Sequence, residues 1–201
     1  ASAVVFETVC QMYPASIFGV RTVLMSNDAF LICSWNVRGL GDNDKCSDVL
    51  SELITTKPHI TLLQESKLDS LSDSKIKSFL PRQTDHVFSL PAVGTAGGTI
   101  SVVNFASFQV VSFSHLTFSS TLILQSTACA HHIAITNIYA PSSRSLKLAF
   151  LDELASIAQP DDTPWLIAGD FNLIRFPSEK NNTAFRPAEA NAFNQPLDNL
   201  A

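Results

Sequence analysis

The feature that most constrains the fold is a change of hydrophobic period between neighbouring segments of the chain. Residues 30–35 are a short, largely apolar run of strand length. From Asp42 the apolar residues instead recur three and four positions apart, which is typical of an amphipathic helix. This helical stripe ends before Pro58, and residues 60–63 form a second strand-length run. The pattern predicts a strand–helix–strand crossover, which is right-handed when its two strands are parallel.

Strand-like patterns dominate the middle of the chain. Runs of β-branched and aromatic residues, separated by turn residues, cover residues 87–90, 99–103, 108–113, 121–125 and 133–138. Their close succession predicts an antiparallel meander, and the glycines at 94, 97 and 98 mark a hairpin or bulge. A helical stripe over residues 146–158 and an apolar strand over residues 165–168 predict a second crossover. Helices beside mixed strands favour a layered α/β architecture.

Size and composition limit the number of domains and the kind of partner. With 201 residues, 46% of them hydrophobic, we expect one domain over residues 29–201 and an N-terminal extension over residues 1–28 that need not be ordered. The four cysteines include no Cys-x-x-Cys pair, which favours free thiols in a reducing intracellular compartment, nucleus or cytoplasm, over a zinc site. No apolar run has the length of a membrane span. The net charge of −5 gives no overall basic field, so nucleic-acid binding would need a local basic patch or a metal ion.

Polar side chains stand where the predicted strands end. They are Asn36, Gln64 with Glu65, Asn137 with Tyr139, and Asp170 with Asn172. In sheets with crossover connections the carboxyl ends of the strands meet at one rim, where ligands bind. Taken singly, each residue is better explained by an ordinary turn, a surface position or, for the tyrosine, a core position. Their occurrence together at several strand ends favours a functional site.

The residue types at these strand ends suit a divalent cation and a phosphate. Glu65 and Asp170 are hard oxygen donors, and Mg²⁺ takes only one or two protein carboxylates because water and substrate phosphate supply its other ligands. Asn36 and Asn172 add neutral amides, which orient a water or a phosphate oxygen without adding negative charge. Tyr139 can donate its hydroxyl to a phosphate oxygen.

Four motifs follow one another in an order that is known from one superfamily. They are Ser34-Trp35-Asn36-Val37-Arg38-Gly39-Leu40, Leu63-Gln64-Glu65-Ser66-Lys67, Asn137-Ile138-Tyr139-Ala140-Pro141 and Gly169-Asp170-Phe171-Asn172. From about residue 30 onward the chain resembles the endonuclease/exonuclease/phosphatase superfamily, which includes apurinic endonucleases. Further segments are similar to the endonuclease domain of plant LINE-type, non-LTR retrotransposons. These are the Trp-Asn-Val-Arg-Gly-Leu-Gly run that ends at Gly41, Ala96-Gly97-Gly98, Pro164-Trp165-Leu166-Ile167 and Glu179-Lys180-Asn181-Asn182.

The resemblance implies a fold, a reaction and a role for each residue. The implied fold is an α/β four-layer sandwich, two mixed β-sheets flanked by helices, and the implied reaction is Mg²⁺-dependent cleavage of phosphodiester bonds, with Mn²⁺ able to replace Mg²⁺. Glu65 would hold the metal, and Asn36 would support the metal and the phosphate. Tyr139 would contact the scissile phosphate, and Asp170 with Asn172 would position and activate the attacking water. The implied partners are DNA and, in a longer natural chain, a reverse transcriptase domain, with no membrane.

The chain departs from the resembled proteins at two points. Apurinic endonucleases carry an acidic residue where this chain has Arg38, although retrotransposon members commonly share the arginine. The superfamily also has a terminal Ser-Asp-His segment whose histidine contacts the scissile phosphate, and these 201 residues do not contain it. We therefore expect a sandwich that is incomplete at its C-terminal end. We also expect weak or no DNA nicking by this chain alone, because losing one such partner commonly lowers the rate by about two or more orders of magnitude.

Three other functions stay open on the sequence alone. An enzyme of the same fold could act on a lipid or small-molecule phosphodiester, since nothing in the predicted metal site excludes such a substrate. Basic residues near the rim would distinguish a DNA-cleaving enzyme from it, because DNA binding needs them. The candidates for such contacts are Arg38, Lys67, Arg144, Arg175 and Lys180. The chain could also be a non-catalytic remnant of a mobile element. A glycosidase with Glu65 and Asp170 as its acid pair is disfavoured by the paired asparagines and the few aromatic residues near the motifs.

Overall fold

Two five-stranded sheets form the framework of the computed structural model, which describes residues 4–5, 17–25, 28–82, 86–93, 96–157, 163–179 and 185–200. The first sheet has the spatial order β2 (Ile17–Met25), β3 (Asp28–Asn36), β4 (Ile60–Gln64), β6 (Ala96–Val103) and β5 (His86–Val93). The second sheet has the order β1 (Val4–Val5), β10 (Trp165–Asp170), β9 (His132–Tyr139), β8 (Ser119–Ser126) and β7 (Phe108–His115). The helices are α1 (Asn43–Thr56), α2 (Asp73–Phe79), α3 (Arg144–Ser156) and α4 (Pro187–Leu200), with a short 3-10 turn at Pro177–Glu179.

Both predicted crossovers are confirmed. Strands β3 and β4 are parallel neighbours joined by α1, and β9 and β10 are parallel neighbours joined by α3. Helix α1 begins where the Asp42 side chain accepts the backbone N–H of Asp44 at 2.8 Å, and it ends at Lys57 in a left-handed conformation. Cys46, Val49 and Leu53 of the predicted apolar stripe form its buried face, whereas Ile54 at the end of the stripe is exposed. No helix in the described part of the chain is long and apolar enough to cross a membrane.

The predicted meander is wrong for two of its five strands. Strands β5 and β6 form a hairpin that joins the first sheet, where β6 pairs antiparallel with β4. The meander is limited to β7, β8 and β9 in the second sheet. The chain passes from one sheet to the other at Asn104, whose carbonyl accepts the backbone N–H groups of Ser107 and Phe108. Hydrophobic period identifies a strand but not its neighbour, because pairing depends on contacts between segments that are distant in sequence.

Parts of the predicted N-terminal extension lie in the sheets. Strand β1 pairs parallel with β10, and β2 pairs antiparallel with the whole length of β3. Residues 1–3 and 6–16 lie outside the described residues. The domain boundary at residue 28 stays a prediction.

Apolar side chains fill the spaces between four layers of secondary structure. Residues such as Phe30, Ile60 and Phe108 form a cluster between the two sheets. A second cluster packs the first sheet against α1 and α2, and a third packs the second sheet against α3 and α4. The four-layer α/β sandwich with two mixed sheets is therefore confirmed.

The space between the sheets changes from apolar to polar along the strands. Alternate residues of a strand face the same side, and on the inward face the apolar residues give way to polar ones toward the carboxyl ends of β3, β4, β9 and β10. The apolar half contains Phe30, Ile32, Ile60, Leu62, Val103, Phe108, Leu122, Leu124, Ile133, Ile135, Leu166 and Ala168. The polar half contains Ser34, Asn36, Gln64, Ser101, Asn137, Tyr139 and Asp170.

Candidate active site

The carboxyl ends of two parallel strand pairs meet at one rim of the sandwich. In the first sheet Asn36 ends β3 beside Gln64 at the end of β4, and in the second sheet Tyr139 ends β9 beside Asp170 at the end of β10. A hydrogen bond of 2.6 Å from Asn36 Nδ2 to Asp170 Oδ2 joins the two pairs across the gap between the sheets. The structure thus brings together residues that are 134 positions apart in sequence.

Asp170 is held through both of its carboxylate oxygens. Its side chain is buried, Oδ2 accepts the bond from Asn36, and Oδ1 accepts the backbone N–H of Asn172 at 2.9 Å. Gly169 permits this arrangement, because a Cβ at that position would collide with the backbone of Ile138 on β9 and because its φ of +147° favours glycine. A carboxylate oxygen accepts two hydrogen bonds, so each oxygen can still bind a water.

The orientation of the Asn36 amide is determined by a bond on its other side. Asn36 Oδ1 accepts the backbone N–H of Arg38 at 2.9 Å, which leaves Nδ2 as the donor to Asp170. Arg38 has a φ of +54°, in the left-handed region, and its side chain is exposed. The turn after β3 therefore fixes the amide and also places a cationic side chain at the surface beside it.

Glu65 and Tyr139 form a second polar pair at this rim, again with one residue from each sheet. Burial, the charges of Glu65 and Asp170, and a side-chain hydrogen bond with Glu65 raise the pKa of Tyr139 to about 12. The phenol therefore stays protonated near neutral pH and remains a hydrogen-bond donor. Lys67 Nζ lies 3.0 Å from Glu65 Oε1, and the Glu65 side chain is 20% exposed. Both carboxylates predicted for the site thus act on one hydroxyl.

The loop that carries Glu65 rests on the first residues of β6. Ser66 N donates to Gly98 O and Lys67 N donates to Gly97 O, both at 3.0 Å. Gly98 has a φ of +82°, and a Cβ there would collide with Ser66 Oγ. The glycine-marked hairpin that the sequence predicts therefore supports the Glu65 loop, and the close approach requires glycine.

Asn172 links the two loops that follow β9 and β10. Its Nδ2 donates to Ala140 O at 2.7 Å, while its backbone N–H donates to Asp170. Its φ of +48° is left-handed, a conformation that asparagine tolerates better than most residues. The side-chain amide thus fixes the loop, and the backbone amide fixes the carboxylate.

Gln64 and Asn137 lie below the rim, inside the protein, so the alternative interpretation of Asn137 as a turn residue is wrong. Both side chains are buried, and Gln64 Nε2 donates to Asn137 Oδ1 at 2.8 Å between the sheets. The sequence does contain a signal for this position: Asn137 precedes Tyr139 by two residues and Gln64 follows Leu62 by two, so strand alternation places each on the inward face.

The basic residues predicted near the rim have different surroundings. Arg38 and Arg144 are exposed, and Lys67 is held by its ion pair. Arg175 anchors α4, because its guanidinium donates at 2.8 Å to Oδ1 of Asn194 and, also at 2.8 Å, to Oδ1 of Asp198. Lys180 lies outside the described residues.

The donor set suits Mg²⁺. Within the described residues no group of three or more His, Cys, Asp and Glu side chains could hold a metal ion. Mg²⁺ takes one or two carboxylates with waters, and the partly exposed Glu65 offers one. Asn36 Oδ1 accepts a single backbone bond and has a second lone pair for a cation or its water.

A cavity of about 370 Å³ lies at the other end of the first sheet. It is lined by residues such as Leu53, Lys57, His59 and Asn104, and it contains no carboxylate. The carboxylates of the rim, Glu65 and Asp170, thus lie outside this cavity.

A sequence profile of the Endonuclease/Exonuclease/phosphatase family matches residues 33–198. No curated protein matches the chain in sequence. The match to the family profile includes the residues that form the rim.

Several solved structures share the fold. An AP endonuclease from Leishmania major matches 83% of this chain and 65% of its own, with 17% identity and a TM-score of 0.63. The TDP2 protein of D. rerio complexed with single strand DNA product matches 71% of this chain and 60% of its own, with 20% identity and a TM-score of 0.52. The mannosyl-6-phosphatase of Bacteroides thetaiotaomicron matches 81% and 68%, with 12% identity and a TM-score of 0.56. The chain therefore spans about two thirds of the length of these proteins.

Proposed function

The chain belongs to the endonuclease/exonuclease/phosphatase family, and from that premise we propose that it is a Mg²⁺-dependent phosphodiester hydrolase that nicks DNA. The observation that supports this function best is the meeting of two polar pairs at one rim, Asn36 with Asp170 and Glu65 with Tyr139. Each pair spans the two sheets, so hard oxygen donors, a fixed carboxylate and a neutral hydroxyl face the same small volume. This is the combination that metal-assisted hydrolysis of a phosphate ester requires.

Glu65 would hold the metal ion, with Asn36 in support. When bound, the ion offsets the negative charge of the phosphate and of the leaving oxygen. Lys67, which contacts Glu65, would add positive charge close to the same phosphate.

Asp170 would position the attacking water and accept its proton. Two hydrogen bonds to the carboxylate prevent its rotation, so its remaining lone pairs point in defined directions. A base that is already oriented loses little entropy when it binds the water. The backbone amide of Asn172 and the side chain of Asn36 supply this orientation.

Tyr139 would donate its hydroxyl to a non-bridging phosphate oxygen. With a pKa of about 12 the phenol is neutral over the whole physiological range, so it adds no negative charge to a site that binds an anion. The hydroxyl, whose pKa the nearby charges of Glu65 and Asp170 help to raise, would donate to the phosphate when substrate binds.

DNA is the substrate favoured by the nature of two structural neighbours, an AP endonuclease and a TDP2 solved with a single strand DNA product. Exposed Arg38 and Arg144 would contact phosphates beside the scissile one. The motifs shared with plant LINE-type elements further suggest a retrotransposon origin, with a reverse transcriptase domain as the natural companion. A small-molecule phosphodiester is the second candidate, favoured by the net charge of −5 and by the sugar phosphatase among the neighbours.

The proposal is tested by Mn²⁺ binding, followed by electron paramagnetic resonance, together with nicking of supercoiled plasmid in Mg²⁺. We expect Mn²⁺ binding and at most weak nicking by the wild type, loss of both in Glu65→Gln, and no effect of Glu52→Gln on α1. A chain that neither binds Mn²⁺ nor nicks DNA above the Glu65→Gln background would refute the proposal and favour a non-catalytic remnant. Hydrolysis of bis(4-nitrophenyl) phosphate without DNA nicking would favour the small-molecule substrate.

A further inference from the structure

A buried pair of amides crosses the gap between the sheets directly below the rim. Gln64 Nε2, on the first sheet, donates to Asn137 Oδ1, on the second sheet, at 2.8 Å. Asn137 is completely buried and Gln64 is 1% exposed. The contact therefore lies inside the protein, between the apolar half and the candidate active site.

Within the described part of the chain, every hydrogen-bond partner of the Asn137 side chain belongs to the opposite sheet. Its Nδ2 lies 3.3 Å from Leu63 O, 3.3 Å from Ile100 O and 3.2 Å from Ser101 Oγ. These acceptors belong to β4 and β6, whereas Asn137 belongs to β9. We call the hydrogen-bonded pair of Asn137 and Gln64 the strut, because it joins the two sheets. The Asn137 side chain adds nothing to the pairing within its own sheet.

The strut ends next to the residues of the rim. Gln64 directly precedes Glu65, and Asn137 lies two residues before Tyr139 on the same face of β9. A change in the length of the strut would therefore change the separation of Glu65 and Tyr139. The contacts in the apolar half do not fix the separation of Glu65 and Tyr139 as closely. Apolar attraction is not directional, whereas hydrogen bonds restrict both distance and angle.

Stability alone does not explain a polar pair at this place. Replacing both partners of a buried hydrogen bond by apolar groups of the same shape is often neutral or stabilising, and a cluster of apolar side chains lies directly below the strut. A fully satisfied buried network instead gives a single defined geometry.

We infer that Asn137, acting through Gln64, is a positioning residue that sets the distance between Glu65 and Tyr139 across the two sheets. The inference rests on the proposed function, because it assigns the strut a role in the same hydrolysis. A misplacement of about 1 Å can lower a rate by about 100-fold. Loss of the strut would therefore reduce kcat and leave substrate binding largely intact.

The first test compares Asn137→Ala with Thr136→Val in the full chain. Thr136 is the preceding residue on the opposite face of β9, and it is also buried and hydrogen-bonded, to Thr121 Oγ1 and Trp165 Nε1, both at 2.8 Å. We expect Asn137→Ala to lower kcat per folded molecule by about 10- to 100-fold with little change in KM, and Thr136→Val to change kcat by less than about twofold. Equal kcat values for the two folded variants would overturn the inference.

The second test does not depend on catalysis. The chain has two tyrosines, so a Tyr13→Phe background leaves the ¹³Cζ resonance of Tyr139 as the single tyrosine signal, which reports the surroundings of its hydroxyl near Glu65 and Asp170. The chemical shift of this resonance should change in Asn137→Ala and stay the same in Thr136→Val. An unchanged chemical shift in Asn137→Ala would refute the positioning role of the strut. If Asn137→Ala does not fold, Ser101→Ala removes one acceptor and should move the resonance less, and an unmoved resonance there refutes it equally. A wild type that neither binds Mn²⁺ nor nicks DNA would refute the proposed function, while the resonance would still decide the inference.

Discussion

The two halves of the space between the sheets are lined by the same faces of largely the same strands, yet they are held together by different forces. In the apolar half, side chains such as Phe30 and Phe108 pack with their ring centroids 4.5 Å apart. In the polar half, the contacts between sheets are hydrogen bonds, from Asn36 to Asp170 and from Gln64 to Asn137. Along each strand, the side chains that face the other sheet change from apolar to polar within about two residues.

This difference suggests that the apolar half mainly stabilises the fold, whereas the polar half mainly orients side chains. Apolar packing depends mainly on volume, so hydrophobic side chains of similar size can replace one another at little cost. Buried polar groups must find partners, and the partners fix their orientation. A residue whose orientation is fixed can take part in a reaction, which explains why the candidate active site adjoins the polar half.

The largest expected effect is the loss of activity in Asp170→Asn. The amide cannot accept a proton from water, so we expect kcat for plasmid nicking to fall about 1000-fold, or about 4 kcal/mol. The unfolding free energy should fall less, by about 1–2 kcal/mol, because the new NH₂ group meets donors from Asn36 and Asn172. Asp48→Asn, exposed on α1, is the control. Nicking by Asp170→Asn at the wild-type rate would show that the carboxylate in the polar half is not needed for the reaction.

The next effect is a loss of stability in the apolar half. Phe108 is fully buried against Phe30, so Phe108→Ala should lower the unfolding free energy by about 3–4 kcal/mol through lost burial and a residual cavity. Urea denaturation measures this change. At a temperature where the variant is folded, its kcat should stay within about threefold of the wild type. A tenfold lower kcat in the folded variant would show that the two halves are coupled.

The smallest effect concerns pH and arises at the boundary of the polar half. The phenol of Tyr139 has a pKa of about 12 in the folded protein against 10.0 ordinarily. Between these values the unfolded chain has lost a proton that the folded chain keeps, so unfolding becomes easier as the pH rises from 10 toward 12, by on the order of 1–2 kcal/mol. Below pH 10 the phenol is neutral in both states and this contribution to the pH dependence vanishes.

Tyr139→Phe should lack this part of the pH dependence, which urea denaturation at several pH values would measure. Cys33, whose pKa burial also raises to about 12, is present in both proteins and does not affect the difference between them. Parallel stability curves for the wild type and Tyr139→Phe would show that Tyr139 is not held as the structure indicates.

Much of the fold could be predicted because its signals are local. The period of the apolar residues identified α1, α3 and the strands beside them, and the strand-end motifs identified Asn36, Glu65, Tyr139, Asp170 and Asn172 as candidates. The sheet that receives β5 and β6 could not be predicted, since strand pairing is a contact between distant segments. The anchoring of α4 by Arg175, which the sequence suggested as a DNA contact, likewise depends on partners that lie on another element.

By itself, the sequence determined where helices and strands occur and which residue types end the strands, because both follow from the chemistry of neighbouring residues. Only the tertiary structure decided that Asn36 orients Asp170 and that Asn137 with Gln64 forms a strut below the rim. These bonds join residues that are 134 and 73 positions apart. Their geometry exists only when two sheets pack face to face, since a hydrogen bond requires its donor and acceptor to lie within about 3 Å of each other.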